Sequence, residues 1–119
     1  MESVLELLCS SAKLNRDRGA EQLNALINEK AEDRTFLNGL CGEIVKLLAD
    51  GQISWESKHG ALTGSKSLLQ NIKLPKEDDL YSGFQESVLQ YCLVLLEDDE
   101  SRVRLAAGEF PMALCIYII

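Results

Sequence analysis

A pattern that occurs three times constrains this chain more than any other feature. Its clearest copy is Leu95-Leu96-Glu97-Asp98-Asp99-Glu100-Ser101-Arg102-Val103-Arg104-Leu105-Ala106-Ala107-Gly108-Glu109. This reads as the end of one apolar helix, an acidic turn, and a second helix that opens with cations and small residues. Leu47-Leu48 lead through a polar turn to Trp55-Glu56-Ser57-Lys58-His59-Gly60-Ala61-Leu62, and Leu7-Leu8 lead to Asn15-Arg16-Asp17-Arg18-Gly19-Ala20. The cations align as Arg18, Lys58 and Arg104, each with a small residue two positions on: Ala20, Gly60 and Ala106. Their spacings are 40 and 46 residues. One such unit cannot bury its apolar face alone, whereas stacked units can. The pattern therefore predicts an all-α fold: one domain of about three antiparallel helical hairpins, with units roughly 1–30, 33–73 and 79–119.

HEAT and armadillo units run about 40–47 residues, and on these residues nearly the whole chain resembles the HEAT-repeat family. The resemblance implies an α-solenoid that acts as a non-catalytic protein–protein interaction scaffold, either the N-terminal part or a truncated product of a longer HEAT-repeat protein. In that family a turn Asp and a second-helix Arg form a ladder between successive units. The resemblance implies the same for Asp98 or Asp99 with Arg104, while Arg18 and Lys58 match the cation position without an evident acidic partner. It also implies that the second helices line the concave, partner-binding face. The exposed residues of those helices are then the candidate contacts: Gln22, Glu56, His59, Lys66, Gln70 and Arg102.

Arg16, Arg18, Lys58, Arg102 and Arg104 all lie near the starts of second helices, where cations oppose the helix dipole. The nearby acids that can offset this are Asp17, Glu56, Asp98, Asp99 and Glu100. Two readings follow: salt links between units, or a basic ridge facing an acidic partner segment. Trp55 has the chemistry of an interface anchor, and equally that of a core residue at the start of an amphipathic helix. Together Trp55, His59, Lys66 and Arg102 form the candidate partner-binding set.

Composition narrows the partner. The formal net charge is −7 over 119 residues, which opposes nucleic acid and anionic lipid by bulk electrostatics. A nucleic-acid-tracking solenoid using a local basic ridge is the alternative function, with salt-dependent DNA affinity as its test. No apolar run approaches the roughly 18 residues of a membrane span, and the opening Met1-Glu2-Ser3 is acidic, unlike a secretory signal. Cys9, Cys41, Cys92 and Cys115 sit singly in apolar runs, as small buried hydrophobes do. Free thiols suit a reducing compartment, cytosol or nucleus.

Catalytic and metal chemistry find little material. His59 is the only histidine, so a zinc site would need carboxylates from distant turns. Cys–His catalysis would need one of the buried thiols beside it. Gly60-Ala-Leu-Thr-Gly64-Ser65-Lys66 lacks the spacing of a phosphate loop. Asp78-Asp79 and Asp98-Asp99 read as solvated turns, without the alternating ligands of a calcium loop. The expectation is no enzyme, no cofactor and no metal.

Along the chain, residues 2–13 read as the first helix and Asn15 as the N-cap of the second, with Ala20, Leu23, Leu26 and Ile27 as its stripe. Asp33 caps a third helix with apolar positions Phe36, Leu37, Leu40, Cys41, Ile44, Val45 and Leu48, in which Gly39 and Gly42 would permit close helix approach. Gly51 is placed as its left-handed terminator. Ser54 caps the fourth helix, with Trp55, Leu62, Leu69 and Ile72 read on one face and Ala61, Ser65 and Leu68 flanking it, and Gly60 and Gly64 suggest a close crossing with the paired helix. The fifth runs from about Asp79 to Glu97 and the sixth starts at Ser101. Interior proline costs about 3 kcal/mol or more, so Pro111 breaks the pattern. The uncharged tail Met112-Ala-Leu-Cys-Ile-Tyr-Ile-Ile119 then has three readings: a truncation product, a segment folded back on the last hairpin, or a docking element for a partner or a second copy.

Overall fold

The fold rests on where each helix can start and which of its faces carries large apolar side chains. A computed structural model describes residues 2–74 and 78–118, with side chains described for 4–74 and 78–109. Among these residues there are six α-helices and no strand: α1 (Glu2–Leu8), α2 (Lys13–Glu29), α3 (Arg34–Ala49), α4 (Trp55–Asn71), α5 (Asp79–Leu95) and α6 (Ser101–Ile118).

The caps explain the starts. Asp33 accepts from the Phe36 N–H and Ser54 from the Ser57 N–H, each satisfying one of the orphan donors of a first turn. Asp78 accepts from the Leu80 N–H and so caps α5. Asn15 does not cap α2, which starts two residues earlier at Lys13 behind Ala12. The turn there is built by Ser10 instead. Its Oγ accepts from the Ala12 N–H and the Asn15 amide. This shortens α1 to seven residues. Gly51 is not left-handed: no residue among those described has positive φ. Asp50 ends α3 in an extended conformation, and its carboxylate accepts from the Gln52 N–H.

The helices associate as three successive hairpins. Helix α1 packs on α2, α3 on α4 and α5 on α6. Across hairpins, α2 packs on α4, α4 on α6 and α3 on α5. Helix α4 therefore sits in the middle, touching every other helix. Its sequence suits that place. Gly60, Ala61, Leu62, Gly64, Ser65 and Leu68 are all buried, and the small ones let backbones approach. The buried Ser65 hydroxyl donates to the Ala61 carbonyl at 2.8 Å, so it brings no unsatisfied group into the core. Leu62 and Ile72 are buried as expected, but the centre of the buried face of α4 lies on the residues expected to flank it. Ala61, Ser65 and Leu68 are more deeply buried than Trp55 and Leu69, which are only half-buried.

Leu23 and Ile27 of α2, Leu37, Leu40 and Ile44 of α3, Leu62 and Leu68 of α4, Val88 and Cys92 of α5, and Val103 of α6 make one continuous core. The radius of gyration, 13.3 Å, matches the roughly 13.5 Å of a compact domain of this length. No helix among the described residues is long and apolar enough to cross a membrane.

Two expectations about glycine need correction. A Cβ at Gly39 or Gly42 would meet nothing within 4 Å, so neither marks a close helix contact. Gly64 does face the paired helix, where an added Cβ would lie 3.0 Å from Ile44 Cδ1, but Gly60 faces the backbone of α1. Helix α6 also differs from expectation, since its backbone continues through Pro111 to Ile118. Proline has no N–H to donate to the Ala107 carbonyl, so that helical bond is missing. The side chains of the tail and Ile119 lie outside the described residues, as do Pro75, Lys76 and Glu77 of the linker.

Cys41 and Cys92 are buried free thiols, and burial pushes both up to about 12. Cys9 is half-buried; burial raises it, and a hydrogen bond with Ser57 works the other way. Thiolate is the reacting form. Alkylation of the native protein at mildly alkaline pH is therefore expected to label Cys9 well before Cys41 and Cys92, as read by peptide mapping. Equal labelling of all three without denaturant would contradict the packing of α3 and α5.

Candidate partner-binding face

Helices α2, α4 and α6 form one side of the molecule, and their first turns carry its cations. Arg16 lies three residues into α2, Lys58 three into α4 and Arg104 three into α6. The two arginines do the same job. Arg16 Nη1 donates to the Ser10 and Ser11 carbonyls, both at 3.0 Å. Arg104 Nη1 donates to the Asp98 and Asp99 carbonyls, at 2.7 and 3.0 Å. Each arginine ties together the turn that precedes its own helix.

Lys58 does something different. Its Nζ reaches into the next hairpin and bonds Asp98 Oδ1 at 2.7 Å. The two side chains are only 19% and 11% exposed. Asp98 also accepts from the Glu100 N–H at 3.1 Å. Burial pushes the Asp98 carboxyl up, but the Lys58 hydrogen bond, the Glu100 N–H and the charges of Lys58 and Arg104 together hold it below the usual range. A second link between hairpins joins Arg34 of α3 to Asp78, which holds Asp78 low. Neither Asp78 nor Asp98 is a purely solvated turn residue, because each caps a turn and pairs across hairpins.

The residues of the expected ladder therefore divide. Lys58 and Asp98 meet. Arg104 meets the backbone of Asp98 and Asp99 rather than a carboxylate. Arg18 is exposed, and the position in α2 that corresponds to Lys58 and Arg104 belongs to Arg16. Placing the N-cap of α2 three residues late, at Asn15 rather than Ala12, hid this. Counted from the true helix start, Arg16 falls in register with the other two cations.

Trp55, the first residue of α4, is held from both neighbouring helices. The Arg102 guanidinium carbon lies 3.7 Å from its ring centroid and that of Arg16 lies 5.0 Å away. Such contacts contribute about 0.5–1 kcal/mol each near a surface. His59, one turn on, meets the indole edge-on, with centroids 6.3 Å apart and planes at 77°. Burial, then the Arg16 charge, lowers the His59 pKa; Arg102 lowers it further, and Glu109 and Asp17 work the other way. The surroundings of His59 therefore favour the neutral imidazole.

Three adjoining clefts run along this side. The first, about 210 Å³, is lined by Lys13, Arg16, Asp17, Trp55, His59 and Arg102, with Thr63 at its edge. The second, about 280 Å³, shares His59, Thr63 and Arg102 and adds Lys66, Leu105 and Glu109. The third, about 310 Å³, lies between α2 and α4 and includes Glu21, Asn24, Ser67 and Gln70. The four candidate residues Trp55, His59, Lys66 and Arg102 thus come together on one face, with Gln70 beside them. Gln22 is exposed on α2 but lines none of these clefts. Glu56 is half-buried at the start of α4.

No group of three or more His, Cys, Asp or Glu side chains among the described residues is placed to hold a metal ion. What the face offers is a half-buried aromatic ring between two guanidinium groups, a neutral imidazole and two lysines. No family model, curated protein or solved structure matches the chain.

Proposed function

We propose that the chain is a non-catalytic protein-interaction scaffold built of HEAT-like hairpins, and that the α2–α4–α6 side holds a partner's extended segment. The carrying observation is Trp55 between Arg16 and Arg102, at the point where all three hairpins contribute to one surface. Tryptophan and arginine are the residue types that most often dominate binding energy. Support for the HEAT-like reading comes from the packing order, second helix on second helix and α3 on α5, and from one largely buried ion pair between successive hairpins. The clefts are open and continuous, which suits an extended chain better than a small substrate.

A peptide-display selection of random peptides of about a dozen residues on the immobilised chain tests this reading. Binders are expected to shift backbone amide signals of α2, α4 and α6 and to perturb fluorescence from Trp55, the only tryptophan. Trp55→Ala should weaken them about thirtyfold, the scale of a hot spot, with the circular dichroism unchanged. Binders that map to the α3–α5 side, or none at all, would remove the support for this face.

A further inference from the structure

Charge on the candidate face runs against charge on the whole. The residues lining the first two clefts include Lys13, Arg16, Lys66 and Arg102, set against Asp17 and Glu109, with His59 between them. The face is therefore cationic at neutral pH on a chain whose net charge is −7. The two lysines and the two acids pair with each other, Lys13 with Asp17 at 2.8 Å and Lys66 with Glu109 at 3.6 Å, so the charge left for a partner lies on Arg16 and Arg102. Arg16 is turned toward neutral carbonyl oxygens rather than a carboxylate. Arg102 uses its Nε on Glu100, at 2.8 Å. The terminal nitrogens of a guanidinium are additional donors suited to a carboxylate fork. Both guanidinium groups are also stacked on Trp55, which limits the entropy they lose when they bind.

We infer that the partner segment held here is acidic, and that it places a glutamate or aspartate carboxylate between Arg16 and Arg102 at Trp55. This rests on the interaction reading proposed above. A cleft of about 210 Å³ takes one such side chain, while in the second cleft the next acidic residue along the segment displaces Glu109 from the half-exposed Lys66. The exposed Leu105, 70% accessible and lining the second cleft, supplies an apolar contact beside it. His59 is the sensor of occupancy. The groups around it are Lys13, Arg16 and Asp17 from α2, Arg102 and Glu109 from α6, and Lys66 and Trp55 from its own helix. A carboxylate arriving among them favours imidazolium, so binding takes up a proton and tightens as pH falls toward the histidine range.

The test is a titration of the full chain with a glutamate-rich peptide of about a dozen residues, followed by Trp55 fluorescence and amide shifts at near-physiological ionic strength, about 0.15 M. A saturable change confined to α2, α4 and α6 is expected. Arg102→Glu should reduce affinity at least tenfold and Lys66→Glu severalfold; both side chains are exposed enough for the variants to fold. Affinity should rise severalfold between neutral pH and about pH 5.5, and the rise should vanish in His59→Gln. The inference is overturned if the acidic peptide does not bind while display-selected peptides of other chemistry bind the same face, an outcome that leaves the interaction reading standing. It is also overturned if single-stranded DNA of equal charge binds more tightly, or if Arg102→Glu leaves peptide affinity unchanged. Failure of every peptide on this face removes both readings together.

Discussion

Gly60→Ala is expected to destabilise the protein by about 2 kcal/mol, although alanine is the better helix former. An added Cβ would lie 2.7 Å from the Leu8 carbonyl carbon and closer still to its oxygen. The obstacle is backbone and cannot rotate away. On the far side Gly19 blocks retreat, because a Cβ there would meet the Leu8 nitrogen at 2.8 Å and Leu7 Cβ at 2.9 Å. Leu8 is therefore clasped between two glycines, one from α2 and one from α4, and is itself buried. Overpacking of this kind costs up to about 3 kcal/mol, and the gain in helix propensity offsets about 1 kcal/mol. The melting temperature should fall by about 8 °C. Amide exchange should be fastest in α1, which is the element displaced. Gly83→Ala is the control: nothing lies within 4 Å of its Cβ position, so that change should stabilise by about 0.5–1 kcal/mol. A Gly60→Ala protein that melts at or above the parent temperature would show that α1 does not dock on α4.

The second large effect is expected at Asp98. Asp98→Ala leaves the Lys58 ammonium, only 19% exposed, without its counter-charge, and takes the acceptor from the Glu100 N–H. Breaking one side of a fully buried pair costs 3–5 kcal/mol; the partial exposure here lowers the expected loss to about 2–3 kcal/mol. Lys58→Met alone should cost less, since Asp98 keeps its bond from the Glu100 N–H. In the double variant the loss should be smaller than the sum, which chemical denaturation of all four proteins measures. Additive losses would mean that the pair contributes nothing as a pair.

The same carboxylate shapes the dependence on pH. Asp98 is held below the usual carboxylate range in the folded chain, so the unfolded chain binds its proton first as pH falls. Its contribution is fully present above the unfolded pKa of about 3.9 and is lost as pH drops through the lower folded value. His59 acts earlier in the same direction. Its folded pKa lies below the unfolded value of about 6.5, so acidification through that range already favours the unfolded state. Stability should therefore decline in two stages on acidification, with the first removed in His59→Gln and the second reduced in Asp98→Asn.

Much of the architecture was legible from the order of residues. Strong apolar periodicity with a capping residue in front placed α3 correctly from Asp33 onward, and the starts of α4 and α5 followed from Ser54 and from the break after Pro75. Side-chain caps act over three residues, and a sequence displays that range directly. The start of α2 was not legible, because its turn is closed by Ser10 and by Arg16 binding two main-chain carbonyls. No fixed spacing announces a side chain that binds carbonyl oxygens. The buried face of α4 was placed off-centre for another reason. An element surrounded by five helices buries its small residues, so its largest apolar side chains no longer mark the centre of the contact.

The sequence by itself determined six helical segments, their pairing through short turns, and the gathering of cations at the starts of the second helices. All of these depend on periodicity, capping chemistry and local charge. Only the tertiary structure decided which groups meet over long separations. It set Lys58 on Asp98 forty residues away, brought Arg16 and Arg102 to Trp55 from opposite neighbours, and pressed Leu8 between Gly19 and Gly60. Those partners are chosen by the angle and offset at which helices pack, and the offset is fixed by the small residues of α4 together with every side chain it meets.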